Sequence, residues 1–286
     1  MRRTGSLVVV LLPLLLLAGC ADDPGGEPTS GPTEPTTTAP TAEPTQEPTV
    51  APSDADVYYL LDTRSGLRLA REAAAAGGDD AVRLAVEQMI AGPTDPDYST
   101  PWNPATTVLG VDVAGGVLSV DLSEDARTAS IGSAGAALMV QQLVHTAADA
   151  AGDDSLPVLL TIEGEPAGEL WGAVVWDEPV TRADPLDVRL LVQIDEPQHG
   201  ATVTSPVTVR GDAAVFEANL LWSVLDAAGA EVQAGFTTTA EGQVFAPYEF
   251  VLELPPGEYT VVISESDESG GEGGTPMSDS KAITVS

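Results

Sequence analysis

Val108-Leu109-Gly110-Val111-Asp112-Val113-Ala114-Gly115-Gly116-Val117-Leu118-Ser119-Val120-Asp121-Leu122 reads as two alternating runs folded about a glycine pair. Val108, Val111 and Val113 mark the first run, and Val117, Val120 and Leu122 the second. Ala114-Gly115-Gly116 between them is a hairpin turn. Upstream, after a proline-rich loop from Pro93 to Pro104, lies a helical stripe of Val82, Leu84, Ala85, Val86, Met89 and Ile90. Asp79-Asp80 supply N-cap candidates, and Gly92-Pro93 supply the stop. Val57-Tyr58-Tyr59-Leu60-Leu61 ahead of it has strand length. Downstream, a second helix is expected over residues 133–151. It ends at Gly152-Asp153, and Leu156-Pro157-Val158-Leu159-Leu160-Thr161-Ile162 follows as a strand. The order strand, helix, hairpin, helix, strand predicts a compact α+β or α/β sandwich over 56–183, with two helices on one face of a small sheet.

Beyond residue 187 the pattern changes. No helical stripe follows, and strands are expected at 189–194, 207–210, 219–225, 231–237, 248–254, 259–265 and 280–285. Turn residues separate them at intervals of about 8–12 residues, which fits an all-β immunoglobulin-like sandwich over 187–286. Ala183-Asp184-Pro185 is the expected boundary.

The chain start has its own logic. Met1-Arg2-Arg3 precedes an apolar stretch over 7–17, then Leu17-Ala18-Gly19-Cys20. A basic segment, a short apolar segment and small residues before a cut site describe a secretory signal over 1–19. The apolar run falls short of the ~20 residues that a spanning helix needs. Leu17-Ala18-Gly19-Cys20 resembles the bacterial lipobox, which implies cleavage before Cys20 and its acylation with diacylglycerol. Two acyl chains hold a protein on a bilayer where one is marginal. Cys20 is the single cysteine, so its acylation leaves no thiol for a disulfide, a metal or nucleophilic chemistry. Residues 20–55 then form a stalk. Pro24, Pro28, Pro32, Pro35, Pro40, Pro44, Pro48 and Pro52 recur among Thr and Glu, with no Lys or Arg. Such a segment cannot bury enough apolar surface to offset its ordering entropy. In extended polyproline geometry it would reach on the order of 100 Å.

The formal net charge is −33, from 44 acids against 11 basic residues, and Lys281 is the single lysine. A surface this acidic repels nucleic acid and anionic headgroups. Contact with wall polymers would have to be local, through hydrogen bonds or aromatic stacking.

Both folded regions resemble modules of bacterial spore-germination-type proteins. Residues 57–182 resemble a GerMN domain. The resemblance rests on Tyr58-Tyr59, Met89-Ile90-Ala91-Gly92-Pro93, the Val117 to Ser123 strand, Gln142-Leu143-Val144-His145-Thr146-Ala147 and Glu163-Gly164. Residues 188–285 resemble the immunoglobulin-like domain of those proteins. Its carriers are Glu196-Pro197, Gly200-Ala201-Thr202-Val203, Ser205-Pro206-Val207-Thr208-Val209-Arg210-Gly211 and Val215-Phe216-Glu217-Ala218-Asn219. The resemblance implies a non-catalytic envelope lipoprotein, with a first domain similar to ring-building domains that associate laterally.

No residue set stands out for chemistry. His145 on the second helix reads as a packed side chain and His199 as a solvated loop residue; two isolated histidines make a poor zinc site. No zinc-protease, phosphate-loop, dinucleotide or nucleophile-elbow motif is present. Asp121, Glu124 and Asp125 suit the capping of a turn. Asp267, Glu268 and Glu272 offer calcium-type oxygens without EF-hand spacing. A wall-polymer hydrolase needs two placed carboxylates, and nothing sets one pair apart from the rest. No catalytic, cofactor or metal site is therefore expected. Trp102, Trp171 and Trp176 are the candidate interaction surface, either as a stacking platform for glycan or as packing between elements. The expected partners are the bilayer through acylated Cys20, and envelope proteins or cell-wall glycan, with lateral self-association of the first domain. Nucleic acid is not among them.

Overall fold

The computed structural model describes residues 55–75, 77–266 and 275–286, all within one compact unit of the chain. Cys20, the signal, nearly all of the stalk and Asp267, Glu268 and Glu272 lie outside the described residues. The described part is mostly β, with few helices.

The first region begins with a hairpin. β1 (Asp56–Thr63) and β2 (Gly66–Ala73) pair antiparallel from Asp56↔Ala73 to Thr63↔Gly66, with Arg64-Ser65 as the turn. Val57 and Tyr59 point into the main core, while Tyr58 and Leu60 pack with Leu69 and Leu138 on the other face. Sequence reasoning found β1 but not β2. Arg68, Arg71 and Glu72 interrupt its apolar pattern, because each of them has a partner that lies far away in the chain.

α1 (Ala81–Ala91) buries Ala85, Val86, Met89 and Ile90. Asp80 occupies the N-cap position without a capping side-chain bond, and Gly92 ends the helix at φ +107°. β3 (Val108–Ala114) and β4 (Val117–Leu122) form the expected hairpin. Gly115 and Gly116 both have positive φ, as a tight two-residue turn with the right twist requires. Leu118, Val120 and Leu122 of β4 face inward; Val113 is exposed because β3 is the edge strand. After a 3₁₀ turn at Glu124–Arg127 comes α2 (Ser133–Ala150). It crosses over to β5 (Val158–Ile162), which lies parallel to β4. β6 (Glu165–Pro166) completes the order β3-β4-β5-β6, and β7 (Gly168–Leu170) with β8 (Val174–Trp176) makes a separate ribbon.

The expected single sheet with two helices on one face is thus corrected. The β1–β2 hairpin and the four-stranded sheet are separate, and α2 packs against both β1 and β5. This explains why α2 is buried at Gln142, His145 and Thr146 as well as at Met139, Leu143 and Ala147. Its polar side chains serve the strand. Gln142 Nε2 donates to the Tyr58 carbonyl at 3.0 Å, and Thr146 Oγ1 accepts from the Tyr58 N–H at 3.0 Å. A strand buried against a helix would otherwise carry orphaned backbone groups.

α3 (Pro185–Val188) is a single turn, with the Asp184 carboxylate accepting from the Leu186 N–H. It leads into eight strands: β9 (Val192–Glu196), β10 (Ala201–Val203), β11 (Val207–Ala213), β12 (Asn219–Asp226), β13 (Glu231–Thr238), β14 (Ala246–Leu252), β15 (Gly257–Glu265) and β16 (Ser278–Val285). They form a five-stranded sheet, β10-β16-β15-β12-β13, and a three-stranded sheet, β14-β11-β9. The short β10, parallel to β16, was not anticipated. Leu220, Val224, Val261 and Ile263 from one sheet meet Val209, Tyr248 and Leu252 from the other in a sandwich core. Trp222 is half-buried rather than central. It stacks on Phe250 at 5.2 Å, above Gly235, where a Cβ would fall 2.4 Å from the indole. Among the described residues no helix is long and apolar enough to cross a membrane.

Candidate functional site

The most unusual chemistry in the molecule is a charge cluster where the two regions meet. Lys281, on β16, is 1% exposed. Its Nζ donates to Asp95 Oδ2 at 2.7 Å, to the Tyr98 hydroxyl at 2.6 Å and to Asp279 Oδ1 at 3.1 Å. Asp95 and Tyr98 come from the loop after α1, while Asp279 shares β16. A bare ammonium buried this deeply would cost several kcal/mol, so its retention depends on these partners.

Each partner is itself held. Asp279 accepts from Tyr98 Oη at 2.7 Å, from Gln193 Nε2 at 3.0 Å and from the Ile194 N–H at 2.7 Å. Burial pushes the Asp279 carboxyl above its usual range, and Lys281 and these donors act against that rise. Tyr98 is raised by burial and by Asp279, so it remains a donor to that carboxylate. Glu72 on β2 fixes the loop by accepting from the backbone N–H of Thr94 and of Asp95, at 3.0 and 2.7 Å. His199, expected to be solvated, lies 3.4 Å from Asp95 and is only 22% exposed.

A second set lies alongside. Arg71 on β2 grips Asp195 with both arms of its guanidinium, at 2.9 and 2.7 Å, and reaches Asp212 at 3.2 Å. Burial works against its charge, but Asp212 and Asp195 more than offset that and hold it protonated. Arg189 donates to both Asp212 oxygens and stacks over Phe245 at 4.0 Å. Asp56 lies 3.1 Å from Arg71, yet burial raises its carboxyl to about 7. Backbone pairing reinforces the junction, with the Leu190 N–H on the Leu69 carbonyl at 2.8 Å and Gln193 Oε1 accepting from the Arg71 N–H. Every layer of this junction joins residues 56–98 to residues 189–281. Its chemistry is that of a fastening: carboxylates, one ammonium and two guanidiniums neutralise one another away from water. A cleft of about 410 Å³ lies at its edge, lined by Arg64, Asp97, Asp279 and Ser280.

The tryptophans expected at a surface are not there. Trp102 and Trp176 are 2% and 1% exposed. Trp171 is half-buried, edge-on to Trp102 at 5.5 Å, with its Nε1 donating to the Ala126 carbonyl. They pack the first region and present no stacking platform. His145 is buried with neither ring nitrogen hydrogen-bonded. Burial, with help from Arg182 and Arg189, lowers it to about 3, so it is a neutral ring packed against Tyr58. Asp121 accepts from Thr161 Oγ1 and the Gly164 N–H, tying β4 to the β5–β6 turn. Among the described residues no group of three or more His, Cys, Asp or Glu is arranged to hold a metal ion.

Residues 56–168 match the Germane family, described as sporulation and spore germination. Residues 191–272 match Gmad2, the immunoglobulin-like domain of bacterial spore germination. The chain is a GerMN-plus-immunoglobulin-like protein of these families. Lys281 and Asp279 lie beyond the matched part of the Gmad2 domain. The first GerMN domain of the sporulation protein GerM from Bacillus subtilis is similar at 19% identity, over 46% of this chain and 98% of that one, with a TM-score of 0.37. The tandem GerMN domains of the same protein are similar at 13% identity over 50% of this chain, with a TM-score of 0.33; the match spans 49% of their length. CopC from Methylosinus trichosporium OB3b is similar at 22% identity, over 34% of this chain and 91% of that one, with a TM-score of 0.26. No curated protein matches the chain.

Proposed function

We propose that this protein is a lipid-anchored, extracytoplasmic binding or scaffolding module of the cell envelope, without catalytic activity. Neither matched family description names a reaction. The observation that carries the reading is the charged junction, because it joins the Germane and Gmad2 domains within one compact unit. Fixed spacing between two surfaces is what a scaffold contributes and what a flexible tandem lacks. The Leu17-Ala18-Gly19-Cys20 ending and the proline-rich stalk support anchoring and reach.

The test is fractionation of cells expressing the full chain or Cys20→Ala, with a radiolabelled fatty acid in the medium. The wild type is expected in the membrane fraction carrying label, and the variant is expected to leave that fraction without label. A wild-type chain that is unlabelled and soluble would overturn the anchoring. Proximity labelling from the anchored chain then tests scaffolding: a reproducible set of envelope proteins supports it, and labelling no different from that of an anchored unrelated domain overturns it.

A further inference from the structure

The outer face and free edge of the five-stranded sheet form a second surface, unrelated to the junction. β13 is the last strand of that sheet, and eight residues long. Among the described residues, the backbone of 231–238 makes no hydrogen bond outside its ladder with β12. Natural edges are blunted by lysine, proline, bulges or cover. Glu231-Val232-Gln233-Ala234-Gly235-Phe236-Thr237-Thr238 has neither lysine nor proline, and its bulge at Val232 leaves 233–238 in regular register with β12. Its outward side chains are apolar: Phe236 is 72% exposed and Val232 47%. Phe236 pairs directly with Leu221 of β12, which is 42% exposed. In the next row, Ala234 pairs with Ser223, and Ser223 with Val262 of β15. The rows through Phe236–Leu221 and Ala234–Ser223–Val262 carry no charge, in a chain of net charge −33.

Its surroundings are not neutral. No basic residue occurs between Arg210 and Lys281, and Lys281 is buried. Glu231 stands at one end of β13. Gln233 Nε2 donates to the Glu253 carbonyl, which places Glu253, just past the end of β14, beside the edge. Arg210 lines a cleft with Thr238 of β13 but is taken up by Glu196 and Glu249 at 3.4 and 3.8 Å. The border at Glu231 and Glu253 therefore stays acidic, and an apolar strip with an open backbone beside it selects its partner by charge. A second copy of this chain would bring two acidic borders together. We infer that β13 takes up an extended cationic segment of another polypeptide as an added strand. The segment would set apolar side chains beside Phe236 and place alternate Lys or Arg toward Glu231 and Glu253. Main-chain bonds give such strand addition its affinity, and alternate side chains its specificity. This inference does not depend on where the chain resides.

The probe is a fluorescent ten-residue peptide of alternating Lys and Val, titrated against the full chain by polarisation. Binding is expected to weaken with added salt, as exposed charge attraction is screened within about 10 Å at 0.1 M. An alternating Lys-Gly peptide of equal charge and an alternating Glu-Val peptide are each expected to bind at least tenfold more weakly. Phe236→Lys is expected to weaken the Lys-Val peptide at least tenfold, whereas Val175→Lys, an equal charge change at an exposed site of the Germane domain, leaves it unchanged. Equal binding of Lys-Val and Lys-Gly, equal effects of the two lysine variants, or no binding at all would overturn the inference. So would self-association in the ultracentrifuge that Phe236→Lys abolishes. Phe236 is exposed, so an unchanged melting curve is expected to show that the variant folds.

Discussion

The two domains use their few basic residues in opposite ways. In the Germane domain, arginines act on the protein's own groups. Arg71 reaches across the junction, Arg182 ties Asp149 to Asp154, Arg127 holds the Ala167 carbonyl, and Arg83 caps the exposed β3 edge through the Val108 carbonyl. The immunoglobulin-like region has Arg189 on Asp212, Arg210 beside Glu196 and Glu249, and Lys281 in its interior, and the charged residues between Arg210 and Lys281 are all acids. One domain therefore closes its edges with its own cations, and the other leaves an edge open inside an acidic border. A cation contributes most to structure where it is buried and paired. Where cations are absent, the surface is left to a partner's charge.

The sharpest way to break this contrast is to remove the buried ammonium. Lys281→Met is expected to cost about 3–5 kcal/mol, because Asp95 and Asp279 are left buried without their counter-charge. Denaturant melts of the full chain check this. Adding Asp95→Asn and Asp279→Asn to the same chain is expected to recover part of the loss. If Lys281→Met alone cost nothing, the junction would not be a fastening.

Gly211→Ala tests the same junction by shape. A Cβ there would lie 1.9 Å from the Gln193 carbonyl oxygen and 2.8 Å from the Tyr248 hydroxyl, against rigid backbone. A loss of about 1–3 kcal/mol is expected, read by thermal unfolding. Gly235→Ala meets the Trp222 ring instead. It is expected to cost less, since a half-buried indole can shift, and loss of the Trp222–Phe250 stacking would appear in tryptophan fluorescence.

The smallest net effect in the wild type concerns pH, because two groups pull in opposite directions. Asp56 is raised from its ordinary 3.8 to about 7 in the folded chain. Between those values the unfolded chain has released the proton that the folded one keeps, so stability falls as pH rises through this window. His145 is lowered from 6.5 to about 3. There the unfolded chain takes up a proton that the folded one refuses, so stability falls as pH drops from 6.5 toward 3. The slopes oppose each other from about 4 to 6.5 and should leave a broad plateau in the wild type. Asp56→Asn is expected to leave a profile that rises with pH over this range, and His145→Phe one that falls. Unfolding free energies measured from pH 4 to 7.5 distinguish them.

How much of this was legible depends on how far each cause lies along the chain. The β3–β4 hairpin could be read because Gly115-Gly116 and the flanking alternation are local. α1 and α2 could be read from their apolar spacing, and the sandwich strands from turn residues at short intervals. β2 was missed because its charges looked like surface, while their partners lie up to 141 residues away. The tryptophans stayed open between a platform and packing for the complementary reason. A scarce aromatic in a loop looks available, and burial of Trp102 under Trp171 depends on a contact that no local pattern encodes. The junction left one faint signal, a single lysine two residues after an aspartate in a chain that otherwise avoids lysine.

The β3–β4 hairpin, α1 and α2, most sandwich strands, the two-domain order, the acidic balance and the lipobox-like start followed from the amino-acid sequence alone, because propensity, periodicity and charge are properties of neighbouring residues. That α2 is enclosed on several sides, that Lys281 meets Asp95 across 186 residues, and that β13 keeps an open edge were decided only by tertiary structure. Burial and ion pairing depend on which surfaces meet in space, and the cost of desolvating a charge is set by neighbours that the chain brings together only when it folds.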